Sequence, residues 1–291
     1  MKKYLLLAIT LVLSVTSVSA GHLKKYKMKH DGIKREYYMY MPKGIQENAP
    51  LVFILHGYGG RPHHVSWYLM EQADKFKFAL CLPSGTEDPE GTPCWNLYYD
   101  SQAGMKTDDI SFIAALVPTV QEKFHLSKEN TFCMGESNGG DMTYFLAHAK
   151  PELFTAVASV VGVLNVSVTK KHSYGSLSLP FMQFHGTKDT ISFWEGDMDG
   201  SEGYGPWLPV PEAVDYMVKA ANCKEKLVYE FPHVRGNRVT QYRYLNGDES
   251  KKPGVAKEVW FYVVDGGDHH WETDDMNIGD EIVKFFVKYL R

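Results

Sequence analysis

The chain has 291 residues, 44% of them hydrophobic, which is enough for one large buried core. Its 35 acidic and 31 basic residues give a formal charge of −4 with no basic run, which argues against nucleic acid or an anionic membrane as partner. No CxxC or His/Cys cluster points to a structural metal.

Lys2 and Lys3 precede a mostly apolar run from Tyr4 to Val15, and Val18 and Ala20 supply the small residues that a signal peptidase prefers. Residues 1–20 therefore read as a signal peptide, leaving 21–291 as one domain. The apolar run falls short of the ~20 residues that cross a bilayer, so the mature chain is expected to be secreted with no stable membrane association. Export permits disulfides. Cys81 and Cys133 sit inside apolar, strand-like runs, whereas Cys94 and Cys223 lie in loop or helix-end surroundings and form the candidate disulfide.

Lys24 to Met28 and Ile33 to Met41 flank His30-Asp31-Gly32, the signature of an antiparallel hairpin at a sheet edge. Leu51 to Leu55 is a continuous apolar run, as in a strand covered on both faces. A helix is predicted over His64 to Phe76 and a buried strand over Phe78 to Leu82. From Asp109 the apolar positions Ile110, Ile113, Leu116, Val117 and Val120 recur at helical spacing, with Thr107 and Asp108 as candidate caps. Further strands are expected at Thr131 to Met134, Ala156 to Val161, Phe181 to Phe184 and Val259 to Val264. Helices are expected at Asn138 to Ala149, Pro211 to Ala221 and Met276 to Tyr289. The alternation implies an α/β fold with a mostly parallel central sheet and helices on both faces. Trp194 to Pro206 is the most irregular stretch. Asp197 and Asp199 beside Gly200 look like the start of a calcium loop, but Pro206 stands where a bidentate Glu is needed, so the segment reads as a solvated acidic loop.

The chemistry centres on Gly135-Glu136-Ser137-Asn138-Gly139, a G-x-S-x-G pattern between an apolar strand and a helix. Such a turn pushes the serine hydroxyl out at a helix N-terminus, where the dipole favours negative charge. A serine needs a base to take its proton. Asp189, just past the strand ending at Phe184, is the candidate acid, with Asp197 or Asp199 behind it. His269 and His270, just past the last strand, compete as the base, and spacing alone leaves that choice open. Oxyanion donors are expected from the backbone of Asn138 and from the glycine loop His56-Gly57-Tyr58-Gly59-Gly60, with Tyr58 the favoured residue.

Several segments together, LHGYGG at 55–60, CWN at 94–96, DDISFIAALV at 108–117, GESNGG at 135–140, HGTKD at 185–189 and GGDHHW at 266–271, carry a resemblance. The chain resembles the secreted feruloyl esterase and polyhydroxybutyrate depolymerase-like branch of the α/β hydrolases, a carbohydrate esterase family 1-like group that also holds acetyl xylan esterases. The resemblance implies the α/β-hydrolase fold, Ser137 as nucleophile, Asp189 as acid, and the base two residues before a tryptophan. That spacing selects His269, ahead of Trp271. It also maps the oxyanion donors to Tyr58 and Asn138. Glu136 and Glu272 depart from the family's usual Leu and Pro, which bears on substrate more than on the triad.

The reading that follows is a serine ester hydrolase acting on ester-substituted plant polysaccharide or a hydroxycinnamate ester, with no metal or organic cofactor. Trp95, Trp194, Trp207 and Trp271 are candidate substrate-binding residues, able to stack on a phenolic ring. An acetyl xylan esterase, a polyester depolymerase and an inactive binding homologue are the alternatives. Asn165-Val166-Ser167 is a glycosylation sequon.

Overall fold

A computed structural model describes residues 21–62, 67–171, 179–270 and 276–291; the predicted signal peptide, Trp271 and Glu272 lie outside the described residues. In chain order the strands are β1 (His22–His30), β2 (Ile33–Met41), β3 (Leu51–Leu55), β4 (Ala79–Pro83), β5 (Thr86–Glu87), β6 (Pro93–Cys94), β7 (Thr131–Glu136), β8 (Val157–Val160), β9 (Phe181–Gly186), β10 (Glu225–Glu230), β11 (Val239–Leu245) and β12 (Val259–Val264). The helices are α1 (Trp67–Phe76), α2 (Asp109–Lys123), α3 (Asn138–Ala149), α4 (Val166–Lys171), α5 (Val210–Ala220) and α6 (Ile278–Lys288).

Ten strands form one sheet in the order β1-β2-β4-β3-β7-β8-β9-β12-β11-β10, while β5 and β6 make a separate small flap. The six central strands run parallel, and an antiparallel pair closes each edge. The first edge is the expected hairpin, turned by Asp31 and Gly32, both at positive φ as a two-residue turn of this hand requires. The second edge, β11 with β10, gave no sequence signal.

Two apolar layers explain why the central strands are hydrophobic on both sides. Phe53, Cys81 and Phe181 face a layer built with α2, α3 and α5, which contribute Phe112, Leu146 and Val214. Val52, Leu80 and Phe132 face the opposite layer, where α1 and α6 contribute Ala73 and Phe285. Each fully buried side chain of this size contributes about 1.5–3 kcal/mol of transfer free energy, so the frame is rigid enough to hold loops at its rim. Helix α2 begins where expected, with the Asp108 carboxylate accepting from Ser111 N–H at 2.9 Å. No helix among the described residues is long and apolar enough to cross a membrane.

The expected disulfide is absent: Cys94 and Cys223 are both free thiols. Cys94 sits at the carboxyl rim of the sheet, beside Gln102 and Met105, next to Trp95 whose N–H reaches Asn138. Cys223 lies against the Lys257 carbonyl, just before β12 begins, at the opposite rim. Asn165 of the sequon is also buried. Its amide donates to the Tyr204 carbonyl and its oxygen accepts from Ser167 N–H, so the side chain is committed to the fold.

Candidate active site

In the order β4-β3-β7, the chain leaves β3 toward one side and later returns on the other side as β7. Loops that leave adjacent parallel strands in opposite directions open a crevice at their carboxyl ends. The crevice here lies between the loop after β3 and the turn after β7, which carry the candidate oxyanion donors and Ser137.

Ser137 has φ 52° and ψ −123°, a conformation costing a non-glycine residue about 1–3 kcal/mol. Close packing enforces it. A Cβ on Gly135 would strike the Gly139 carbonyl, and one on Gly139 would strike the Leu55 carbonyl of β3. Ser137 N–H donates to Val160 O at 2.8 Å, and Ser137 O accepts from Asp141 N–H at 2.9 Å as α3 starts. The serine is thus pinned at the head of a helix dipole.

Across the crevice, Gly57 brings its backbone so close that an added Cβ would lie 3.3 Å from Ser137 Cβ. The loop is tied down at several points. His56 donates from Nδ1 to Gly57 O at 2.8 Å, and its Nε2 accepts from Gly85 N–H at 3.0 Å. Gly59 N–H donates to Pro93 O at 2.8 Å. The Tyr58 hydroxyl donates to Asp88 on the flap. That bond, with some burial, pushes the phenol up to about 12. Asn138 is anchored through its side chain, which accepts from Trp95 N–H at 2.7 Å and donates to Trp95 O at 3.3 Å. Its backbone amide is left at the first turn of α3.

The acid and base loops follow β9 and β12, which are neighbours in the sheet. His269 Nδ1 lies 2.8 Å from Asp189 Oδ2 and 3.0 Å from Oδ1. Asp189 is buried and its Oδ1 also accepts from Ile191 N–H at 2.9 Å and Ser192 N–H at 2.8 Å. Its fallbacks are elsewhere employed or exposed. Asp197 is buried inside its own loop, accepting from Ser201 and Glu202 N–H, both at 3.1 Å, which corrects the solvated reading of that residue. Burial alone would raise its carboxyl, but these backbone donors outweigh burial and hold it below the ordinary value. Asp199 is exposed. Between the two histidines, His269 is half-buried on the carboxylate while His270 is exposed, its N–H held by the Asp268 carbonyl at 2.7 Å.

Three further residues organise the site: Asp268 and His185 stood in the sequence motifs without a role, and Asp141 lies just past the serine motif. Asp268 Oδ1 accepts from Thr190 N–H, Thr190 Oγ1 and His269 N–H at 3.0, 2.8 and 2.8 Å, stapling the base loop to the acid loop. Those bonds hold its carboxyl below the ordinary value. His185 lies wholly buried behind Asp189, its Nε2 2.7 Å from Ser192 O and 3.3 Å from Asp189 Oδ2. Burial pushes the imidazole down despite the pull of Asp189, which keeps it neutral and able to donate from Nε2. Asp141, one turn beyond Ser137, accepts from Val163 N–H at 2.6 Å and the Tyr99 hydroxyl at 2.7 Å. Burial pushes it up to about 7, and it feels both His269 and Asp189, so the elbow and the platform share one neighbourhood.

The tryptophans fare differently. Trp95 and Trp207 are buried in the core and cannot stack on a substrate, which corrects both assignments. Trp95 has its indole N–H on the His56 carbonyl at 2.8 Å and supports the oxyanion loop instead. Trp194 is half-buried and lies flat on Phe261, 5.8 Å between ring centroids, with the His185 ring tilted beside it at 6.3 Å. Among the described residues, the large apolar side chains that face solvent on the rim loops include Tyr58, Tyr98, Ile191 and Met198. Periodicity could not pick them out, because single exposed residues on loops carry no pattern.

Comparisons with known proteins bear on the fold and the family. A family model described as Esterase PHB depolymerase matches residues 35–238. Feruloyl esterase B of Thermothelomyces thermophilus is 25% identical over 259 residues, covering 86% of this chain and 86% of that protein. Among solved structures, an acetyl xylan esterase from Aspergillus awamori aligns with a TM-score of 0.61 at 16% identity, over 91% of this chain and 99% of that one. Ferulic acid-bound Est1E from Butyrivibrio proteoclasticus aligns with a TM-score of 0.56 at 13% identity, over 91% of this chain and 98% of that one. The structural likenesses show the α/β-hydrolase fold. The sequence match goes further, and the chain belongs to the esterase PHB depolymerase family.

Proposed function

We propose that the protein is a secreted serine carboxylic-ester hydrolase that releases a hydroxycinnamate such as ferulate from plant cell-wall polysaccharide. One observation carries the reading: the His269 imidazole is held through Nδ1 by a buried carboxylate, on the rim where the Ser137 elbow emerges. With Nδ1–H donating to Asp189, the lone pair resides on Nε2, the nitrogen a serine proton needs.

In the proposed cycle, Ser137 Oγ bonds to the ester carbonyl carbon as its proton passes to His269 Nε2. The amides of Tyr58 and Asn138 meet the charge on the carbonyl oxygen. The tetrahedral adduct collapses, the carbon–oxygen bond to the sugar breaks, and the alkoxide leaves with the proton from His269. Water then gives a proton to His269 and attacks the acyl carbon. The free acid departs as Ser137 recovers its proton. Asp189 holds the ring by its Nδ1 side and stabilises the imidazolium.

The hydroxycinnamate preference rests on two supports: the name of the Thermothelomyces relative and the exposed Tyr58, Tyr98, Ile191 and Met198 at the rim. A phenolic ring suits such a surface. A cleft of about 330 Å³ beside His56 and Gly60, bordered by Lys34, Arg61 and Glu87, offers polar groups to the sugar side. The leader-like residues 1–20 support export.

The test competes methyl ferulate, acetylated xylan and short hydroxybutyrate oligomers against wild type and Ser137→Ala. Methyl ferulate is expected to give the highest kcat/KM with wild type and no measurable turnover with the variant. If methyl ferulate is the poorest of the three, the hydroxycinnamate preference is wrong. If the variant matches wild type, Ser137 is not the nucleophile.

A further inference from the structure

Strand β10 ends the sheet with Glu225-Lys226-Leu227-Val228-Tyr229-Glu230, and all six residues are exposed. Leu227, Val228 and Tyr229 are each more than half exposed, which is unusual for three consecutive large apolar residues. Edge strands are ordinarily blunted by proline, a bulge or inward-pointing charge, because an open apolar edge pairs with other chains. This one has charges only at its two ends.

The ladder fixes which backbone groups are open. Residues of an antiparallel strand point their N–H and C=O alternately to the two sides. Phe231 N–H donates to Val239 O at 3.0 Å, in register with Glu230↔Thr240, so the odd-numbered residues bond inward to β11. Lys226, Val228 and Glu230 therefore turn their N–H and C=O outward.

We propose that β10 is a dimer interface, pairing antiparallel with β10 of a second copy about a two-fold axis at Val228. That register places Val228 opposite its own copy and Lys226 opposite the partner's Glu230, twice, at the three positions with open backbone groups. Between them Leu227 meets the partner's Tyr229 at the non-hydrogen-bonded positions, where side chains approach most closely. Moving the axis to Lys226 or to Glu230 sets like charges face to face, so charge selects the same register that the hydrogen bonds allow. Lys226 is already held on the right face, its Nζ 4.3 Å over the Tyr242 ring. The interface is isologous and joins two sheets into one. It stands independently of the proposed substrate, since β10 lies two strands beyond β12 and its catalytic loop.

Sedimentation equilibrium of the mature protein across a wide concentration range tests this, with hydrolysis of p-nitrophenyl acetate as the control for folding. Wild type is expected to dimerise reversibly. Lys226→Glu and Glu230→Lys should each weaken dimerisation at least about tenfold with unchanged activity. Mixing those two variants should restore a dimer, as should combining both substitutions in one chain. Val228→Pro removes an outward N–H that β11 does not use, and should also give a monomer. A wild type that stays monomeric at every concentration overturns the proposal. So does a dimer that survives both single charge reversals.

Discussion

The nucleophile elbow and the acid–base platform reach one rim by opposite means. The elbow is shaped by what is missing: Gly135 and Gly139 have no Cβ, so two carbonyls can close on them and force Ser137 to a positive φ. The platform is shaped by what side chains accept: Asp189 and Asp268 together gather backbone, hydroxyl and imidazole donors from two loops. The contrast teaches where each is vulnerable. The elbow should be sensitive to volume and the platform to the loss of an acceptor.

The largest effect is expected from the group both halves serve. Ser137→Ala should lower kcat/KM for a p-nitrophenyl ester by about 10⁴–10⁶ with an unchanged melting temperature. Asp189→Asn should cost about 10⁴ in kcat, because an amide favours the wrong imidazole tautomer. A loss below tenfold would show that the carboxylate only scaffolds its loop. Gly139→Ala probes the elbow by volume alone. The β3 carbonyl must move, so stability should fall by about 3 kcal/mol in urea denaturation. A variant as stable as wild type would show that the elbow is not sterically enforced. Asp268→Ala, which removes the acceptor, should lower kcat/KM by about tenfold through a slackened base loop. Thr190→Ala should move it in the same direction by less.

The same contrast explains what the sequence revealed. The elbow was legible because sterics leave a local trace, with glycines at fixed offsets from a serine between a strand and a helix. The first-edge hairpin was legible through Asp31-Gly32, and β3, α3 and β12 fell on the expected boundaries because continuous apolar or 3.6-residue patterns mark them. Strands β10 and β11 left no such trace. One is exposed on both faces and the other half-buried, so neither alternates cleanly. The platform was legible only as motifs: choosing His269 over His270 needed a family spacing, and the staple by Asp268 depends on two loops far apart in sequence. The tryptophan assignments failed for a plain reason. A large aromatic near a motif is as useful for bracing the loop from beneath, as Trp95 does, as for meeting a substrate above it.

Asp141 tests whether the division between the two halves is as clean as drawn, since it sits on the elbow helix yet feels the platform's charges. Burial raises its carboxyl from an ordinary value near 3.8 to about 7. Between those values the folded chain holds a proton that the unfolded chain has released. This group's contribution is therefore fully present below about pH 4 and is lost as pH rises toward about 7, at no more than about 1.4 kcal/mol per pH unit. Asp141→Asn keeps an acceptor for Val163 N–H, presents an NH₂ to the Tyr99 oxygen, and carries no charge at any pH. The stability difference, variant minus wild type, should grow across that interval and level off above it, as read from urea midpoints at successive pH values. Parallel curves for the two proteins would mean that the carboxylate is ionised throughout, compensated by the neighbouring imidazole. The elbow would then owe its position to the platform's charge as well as to its own glycines.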